Sequence, residues 1–193
     1  MSAGFQQGIT RVYLAGLHGS EPGHWQSRWH AQDPGSVWIQ HRDWERPDLG
    51  AWLADVDDAL AGRPGPKLLV AHSLGCYLAA AWASMLRPRG LLGAFLVAPP
   101  DLSQPGLAGV ARGFEAGTSL PLACHGALVA SQDDPWAGFE VSRRLASRWR
   151  LQLIDAGAAG HINLASGLGD WPQGRAALAG FEAGFCVPSR SAA

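Results

Sequence analysis

The sequence predicts an open α/β sheet of six mostly parallel strands with helices on both faces. Three observations carry this expectation. Six short β-rich runs are mostly continuous in apolar residues rather than alternating, as strands covered on both faces are. Amphipathic helical stretches separate these runs, and strand alternating with helix describes a single α/β layer structure. Finally, 193 residues with 47% apolar and 16% charged side chains can bury a substantial core and are too apolar for a disordered chain. One domain spanning 1–193 is expected, with its core at about 11–185 and frayed ends at 1–7 and 188–193.

The elements follow in order. Strands are expected at 11–15, 37–40, 67–71, 94–98, 127–131 and 151–155. Between the first two, Trp25 and Trp29 share one face of a helix at i, i+4. Asp48 can cap a helix that carries Trp52, Val56 and Leu60 inward and stops at Gly62. The next helix runs from about Leu74 to Leu86 and is broken by Arg87-Pro88-Arg89-Gly90. Val141, Leu145 and Trp149 form one stripe. The last helix takes Pro172 in its first turn and turns Leu178, Phe181 and Phe185 inward. The connection from Pro99 to Cys124 is longer than a usual loop. It either covers a site or is an ordinary excursion holding one short helix.

Composition excludes several function classes. A formal net charge of -1, with Lys67 the only lysine among 15 basic residues, gives no basic stripe for nucleic acid. Cys76, Cys124 and Cys186 are odd in number and far apart, so they form neither a disulfide framework nor a metal knuckle. None of the seven histidines pairs with another at i, i+4 beside a carboxylate, so no metal and no cofactor is expected. A reducing, cytoplasmic location is the expectation, since the first twenty residues lack the basic start and apolar block of a signal peptide. The nineteen residues Leu68 to Leu86 hold no charge, about the number that spans a bilayer. They divide into strand, turn and helix, and the helical part is too short to cross, so no membrane partner is expected.

That run also holds the chemistry. Ala71-His72-Ser73-Leu74-Gly75 matches G-x-S-x-G with alanine in the first small position, and it lies where that motif belongs, between an apolar strand and an apolar helix. The turn brings backbone close to the serine, so residues two before and two after must be small. Ser73 then stands at a helix N-terminus, which favours developing negative charge. His72 reads as packing within the turn, and Cys76 as a buried thiol in the following helix. A serine nucleophile needs a base and an orienting acid. Asp133 and Asp134 follow the fifth strand and His161 follows the sixth, so all fall on one rim with Ser73. Asp134 is favoured as the acid because Asp-Pro follows the strand-end turn, with Asp133 as the alternative. Oxyanion donors are expected from the Leu74 N–H and from Leu17 in the loop after the first strand, His18 being the runner-up. With strand order 2-1-3-4-5-6, the order reverses between the strands that end at this loop and at Ser73, where such sheets bind ligands.

With these residues assembled, the chain resembles the small, lidless α/β-hydrolases of the retinoblastoma-binding protein 9 and YdeN-like serine hydrolase family. The resemblance covers about Arg11 to Phe185. It rests on the elbow, His24-Trp25-Gln26 with Trp29, Asp43-Trp44 with Pro47, Ser131-Gln132-Asp133-Asp134-Pro135, Gly160-His161-Ile162-Asn163 and Ser166-Gly167-Leu168-Gly169-Asp170-Trp171-Pro172. It implies the minimal α/β-hydrolase fold with strand order 2-1-3-4-5-6, a Ser73, Asp134, His161 triad, and hydrolysis of carboxyl esters of small acyl groups. A retinoblastoma-type partner is not expected, because Leu122-Ala123-Cys124-His125-Gly126 has glycine where the LxCxE peptide needs glutamate. Nine tryptophans is a high count for this length. Trp25, Trp44, Trp136 and Trp171 lie in or beside rim loops and are candidate walls of an acyl pocket. The rival readings are a binding module on a hydrolase scaffold and an acyltransferase with the same triad.

Overall fold

A computed structural model describes residues 8–185. Six strands, β1 (Thr10–Leu14), β2 (Val37–Trp38), β3 (Lys67–His72), β4 (Leu91–Val97), β5 (His125–Ala130) and β6 (Gln152–Asp155), form one sheet in the order β2-β1-β3-β4-β5-β6. Every pairing is parallel. The structure therefore has the expected α/β-hydrolase fold.

Five α-helices cover both faces: α1 (Trp25–Ala31), α2 (Leu49–Leu60), α3 (Gly75–Ala81), α4 (Phe139–Trp149) and α5 (Pro172–Glu182). One core joins β-strand residues such as Val12, Leu69 and Leu96 to Trp52 of α2, the buried alanines of α3 and Trp149 of α4. The other packs Tyr13, Val70 and Phe95 against Trp25 and Trp29 of α1 and Leu178 of α5. Strands buried from both sides have no polar face, which is why they read as unbroken apolar runs. Asp48 caps α2 by accepting the Ala51 N–H at 3.0 Å, and Pro172 opens α5. Arg11 lies buried between Glu182, which it meets through Nε and Nη2 at 2.7 Å each, and Asp33 at 3.1 Å. This set ties β1 to the last helix.

Some boundaries differ from expectation. β4 begins at Leu91 rather than at residue 94, because Leu91 pairs with Lys67. Glycine at position 93 lets two aromatic rings pack on this strand: a Cβ would stand 2.7 Å from Phe185 and 3.1 Å from Phe181. β2 is short, although the Ile39 N–H still donates to the Tyr13 carbonyl at 3.0 Å. The helix expected to reach Leu86 begins at Gly75 and passes into a π-helical turn over Trp82–Leu86. Among the described residues, no helix is long and apolar enough to cross a membrane. The connection after β4 holds a 3-10 helix, Phe114–Thr118, and also brings Pro100, Gly106 and Leu107 to the rim described below.

Candidate active site

Ser73 stands in the turn between β3 and α3 with φ of 54°, a left-handed backbone that a non-glycine residue adopts only when its surroundings enforce it. Two constraints enforce it here. The Ser73 N–H donates to the Val97 carbonyl at 2.9 Å, which anchors the turn on β4. On the other side, a Cβ at Gly75 would lie 2.4 Å from the Leu14 carbonyl oxygen and 2.7 Å from that of Ala15, so only glycine lets α3 approach β1. Gly16 is held to glycine in the same way, since a Cβ there would meet the Ser73 Cβ at 2.7 Å.

The segments after β5 and β6 converge on this serine. His161, on the loop after β6, places Nε2 2.9 Å from Ser73 Oγ and Nδ1 2.9 and 3.0 Å from the two carboxylate oxygens of Asp134. A carboxylate only accepts, so Nδ1 carries the hydrogen and Nε2 is left to accept the serine proton. Both side chains are largely buried, at 9% and 3% exposure. Asp134 is aimed by the Trp136 N–H, which donates to Oδ1 at 2.9 Å.

Asp133 does something else. Its Oδ1 accepts the Ser131 hydroxyl at 2.8 Å and the Gly160 N–H at 2.7 Å, and these bonds hold its carboxyl below the usual range. Ser131 in turn accepts the Ala159 N–H at 2.9 Å. Asp133 therefore binds the histidine loop to the end of β5 and, among the described residues, forms no hydrogen bond to the imidazole.

The two leucines expected as oxyanion donors flank Ser73, Leu74 directly after it and Leu17 on the loop after β1. Among the described residues, neither backbone N–H donates to a protein acceptor. Leu17, Ser73 and His161 line a cleft of about 590 Å³, together with the apolar Leu107, Trp136 and Leu164 and the polar His18, Glu21, His24 and Asn163.

The four rim tryptophans divide. Trp136 lines this cleft, and Trp44 lines a neighbouring one. Trp25 and Trp171 do not wall the pocket, contrary to expectation. Trp25 is buried, its ring 4.6 Å from Trp29, and its Nε1 donates to the Ile162 carbonyl at 2.8 Å. Trp171 folds back over Gly174, where a Cβ would come within 2.2 Å of the indole, and stacks on Trp29. Both rings instead hold the loops that follow β6 against α1.

Other positioning residues escape a sequence reading. His72 Nε2 lies 2.9 Å from the His161 carbonyl oxygen, an acceptor, so it donates and pins the backbone of the histidine. Burial, then the neighbouring His24 and His161, push the His72 imidazole well below its ordinary pKa, and His24 is lowered to about 4, burial again being the larger cause. Both are neutral at pH 7. The fully buried Gln26 amide donates to the carbonyls of Leu14 and Val70, at 3.2 and 3.1 Å, bridging β1 and β3 where the strand order reverses. Its only sequence signal is its place in the His24-Trp25-Gln26 segment. Cys76 Sγ donates to the Val97 carbonyl at 3.3 Å, and burial pushes its thiol up, away from thiolate.

Sheet order, left-handed serine turn and strand-end histidine together define an α/β-hydrolase of the serine type. The serine hydrolase family profile matches residues 12–180. A protein described as a YdeN-like hydrolase, from Pectobacterium atrosepticum, is 31% identical over 92% of each chain, with a TM-score of 0.80. The chain belongs to the YdeN-like serine hydrolase family. The ydeN product of B. subtilis is 24% identical, covers 90% of this chain and 99% of its own, and has a TM-score of 0.74. Est1E of Butyrivibrio proteoclasticus, solved with ferulic acid, shares the fold at 12% identity, 92% and 90% coverage and a TM-score of 0.66. No curated protein sequence matches significantly.

Proposed function

We propose that the protein hydrolyses carboxyl esters of small acyl groups through an acyl-enzyme on Ser73. The observation that carries this reading is the single imidazole of His161 bridging Ser73 Oγ and the Asp134 carboxylate, all within 3.0 Å. That geometry supports each step. As Ser73 Oγ bonds to the ester carbonyl carbon, its proton passes to His161 Nε2. Asp134 keeps the hydrogen on Nδ1 and stabilises the imidazolium that forms. Negative charge moves to the carbonyl oxygen, where the N–H groups of Leu17 and Leu74, which have no protein acceptor among the described residues, receive it. The tetrahedral intermediate collapses by breaking the bond to the alcohol oxygen, which takes the proton from Nε2. Water, deprotonated by the same nitrogen, then releases the acid and restores the serine.

The cleft favours an acyl group with apolar surface. Leu107, Trp136 and Leu164 supply one wall, and two of them stay partly open to solvent, at 39% for Trp136 and 45% for Leu164. Exposed rings and branches beside a nucleophile gain when a substrate covers them. The test is a series of p-nitrophenyl esters of increasing acyl length, assayed with wild type and Ser73→Ala. Turnover that rises with acyl length to an optimum and vanishes in the variant supports the reading. Equal turnover by both proteins overturns it.

A further inference from the structure

Beside the catalytic cleft lies a second one, of about 680 Å³, that the proposed chemistry does not use. His18 and Gly19 line both, so the end of the oxyanion loop is the partition between them. Trp38 at the end of β2 and Trp44 from the loop before α2 form its aromatic walls, both half-buried. Gln32, Gln40 and the paired Arg28 and Asp170 complete it.

The state of the indole nitrogens singles this cleft out. Trp25, Trp29, Trp52, Trp82 and Trp149 donate their Nε1–H to protein acceptors. Among the described residues the other four tryptophans have none, and three of those, Trp38, Trp44 and Trp136, are the ones that line the two clefts. Each therefore offers a ligand apolar ring surface and an uncommitted donor together. Gly19, at φ of 80°, keeps Trp44 open: a Cβ there would already touch three ring atoms at 3.9 Å, and a longer side chain would cover them. Charge does not select the occupant. Arg28 pairs with Asp170 at 3.2 Å, and His18 meets Glu45 at 3.2 Å, so no side chain awaits an ion. Aromatic faces combined with neutral amide and indole donors suit a ring with an apolar C–H face and a hydroxylated edge.

We propose that this cleft binds the sugar of an acylated carbohydrate whose acyl group lies in the catalytic cleft. The proposal rests on the ester-hydrolase reading and names its substrate class. The bond broken is the ester C–O to the sugar; the sugar oxygen leaves with the proton from His161, and water supplies the hydroxyl of the released acid.

Two measurements test it separately from the hydrolase reading. In the first, indole N–H signals are followed by NMR as methyl β-glucoside is added, with assignments from Trp38→Phe and Trp44→Phe. The Trp38 and Trp44 signals should shift together and saturate while that of Trp149 stays still. No shift, or a shift with phenol and none with the glucoside, overturns the proposal. In the second, kcat/KM is compared for acetylated methyl glucoside and ethyl acetate. Trp44→Ala should lower the ratio by ~10-fold, the size of a lost aromatic contact. If both esters are cleaved and the ratio does not move, the sugar site fails and the hydrolase reading stands. If neither is cleaved while the indole signals still shift, the hydrolase reading fails and the sugar site stands.

Discussion

Replacing Asp134 and Asp133 separately with asparagine divides two roles that adjacent carboxylates cannot share. In Asp134→Asn the His161 Nδ1–H loses an acceptor that now meets it with both oxygens, at 2.9 and 3.0 Å. The amide can present its NH₂ to Nδ1, which then has to accept, so the hydrogen moves to Nε2 and blocks transfer from Ser73. Loss of the right tautomer and of imidazolium stabilisation is worth about 10⁴ in kcat in the best-studied triads, about 5 kcal/mol of barrier. The fold should tolerate the change, since the Trp136 N–H still finds the remaining amide oxygen. In Asp133→Asn the bonds to Ser131 and to the Gly160 N–H weaken, the histidine loop loosens, and kcat should fall by less than ~10-fold. The assay is initial-rate hydrolysis of p-nitrophenyl butyrate, with thermal melting of each variant as the control for folding. Comparable kcat losses in the two folded variants, or a loss below ~10-fold in Asp134→Asn, would refute the assignment.

Three further outcomes are expected. Gly75→Ala should destabilise the protein by ~1–3 kcal/mol in urea titration, because its Cβ meets two backbone carbonyls that cannot turn away; an unchanged midpoint would show that α3 can slide. His24 and His72 are buried with pKa values below that of a free histidine, so the unfolded chain binds their protons first as pH falls. Stability is then full above pH ~6.5 and declines towards pH ~4, His24 alone accounting for roughly 3 kcal/mol. Urea midpoints across that range test the sign, and His24→Asn, which can retain the cap on α1, should flatten the slope. Cys76→Ala should keep wild-type kcat and reactivity towards serine-directed inhibitors, and a large loss would point to the thiol instead.

What the sequence reveals depends on how local the physics is. The serine turn is legible because its constraints lie within five residues: small side chains at Ala71 and Gly75, an apolar strand before, an apolar helix after. The two strand-end candidates, Asp134 and His161, follow from alternation, which fixes which ends of the strands share a rim, whereas the strand order is what the family resemblance implies. Trp25 and Trp171 mislead because a tryptophan beside a rim loop can turn outward or inward. Here the bare backbone of Gly174 and the faces of Trp29 draw them in, and that pairing is long-range. The bridging role of Gln26 is hidden for a similar reason, since its two carbonyl acceptors lie on β1 and β3. The start of β4 is missed because residues 91–93 join the strand through pairing with Lys67 and Leu68 and the packing of Phe181 and Phe185, which are long-range contacts.

The uncharged stretch from Leu68 to Leu86 joins these threads. It resembles a membrane span by composition, yet it folds as a central strand, a strained serine turn and a buried helix with a π-helical end. The central claim is that the serine in that turn is an activated nucleophile. Treatment with a fluorophosphonate followed by intact mass measurement tests it most directly. One adduct per chain, mapped to Ser73 and absent from Ser73→Ala and sharply slowed in His161→Ala, is the predicted result. Failure of the folded wild-type protein to label, or equal labelling of Ser73→Ala, would contradict it.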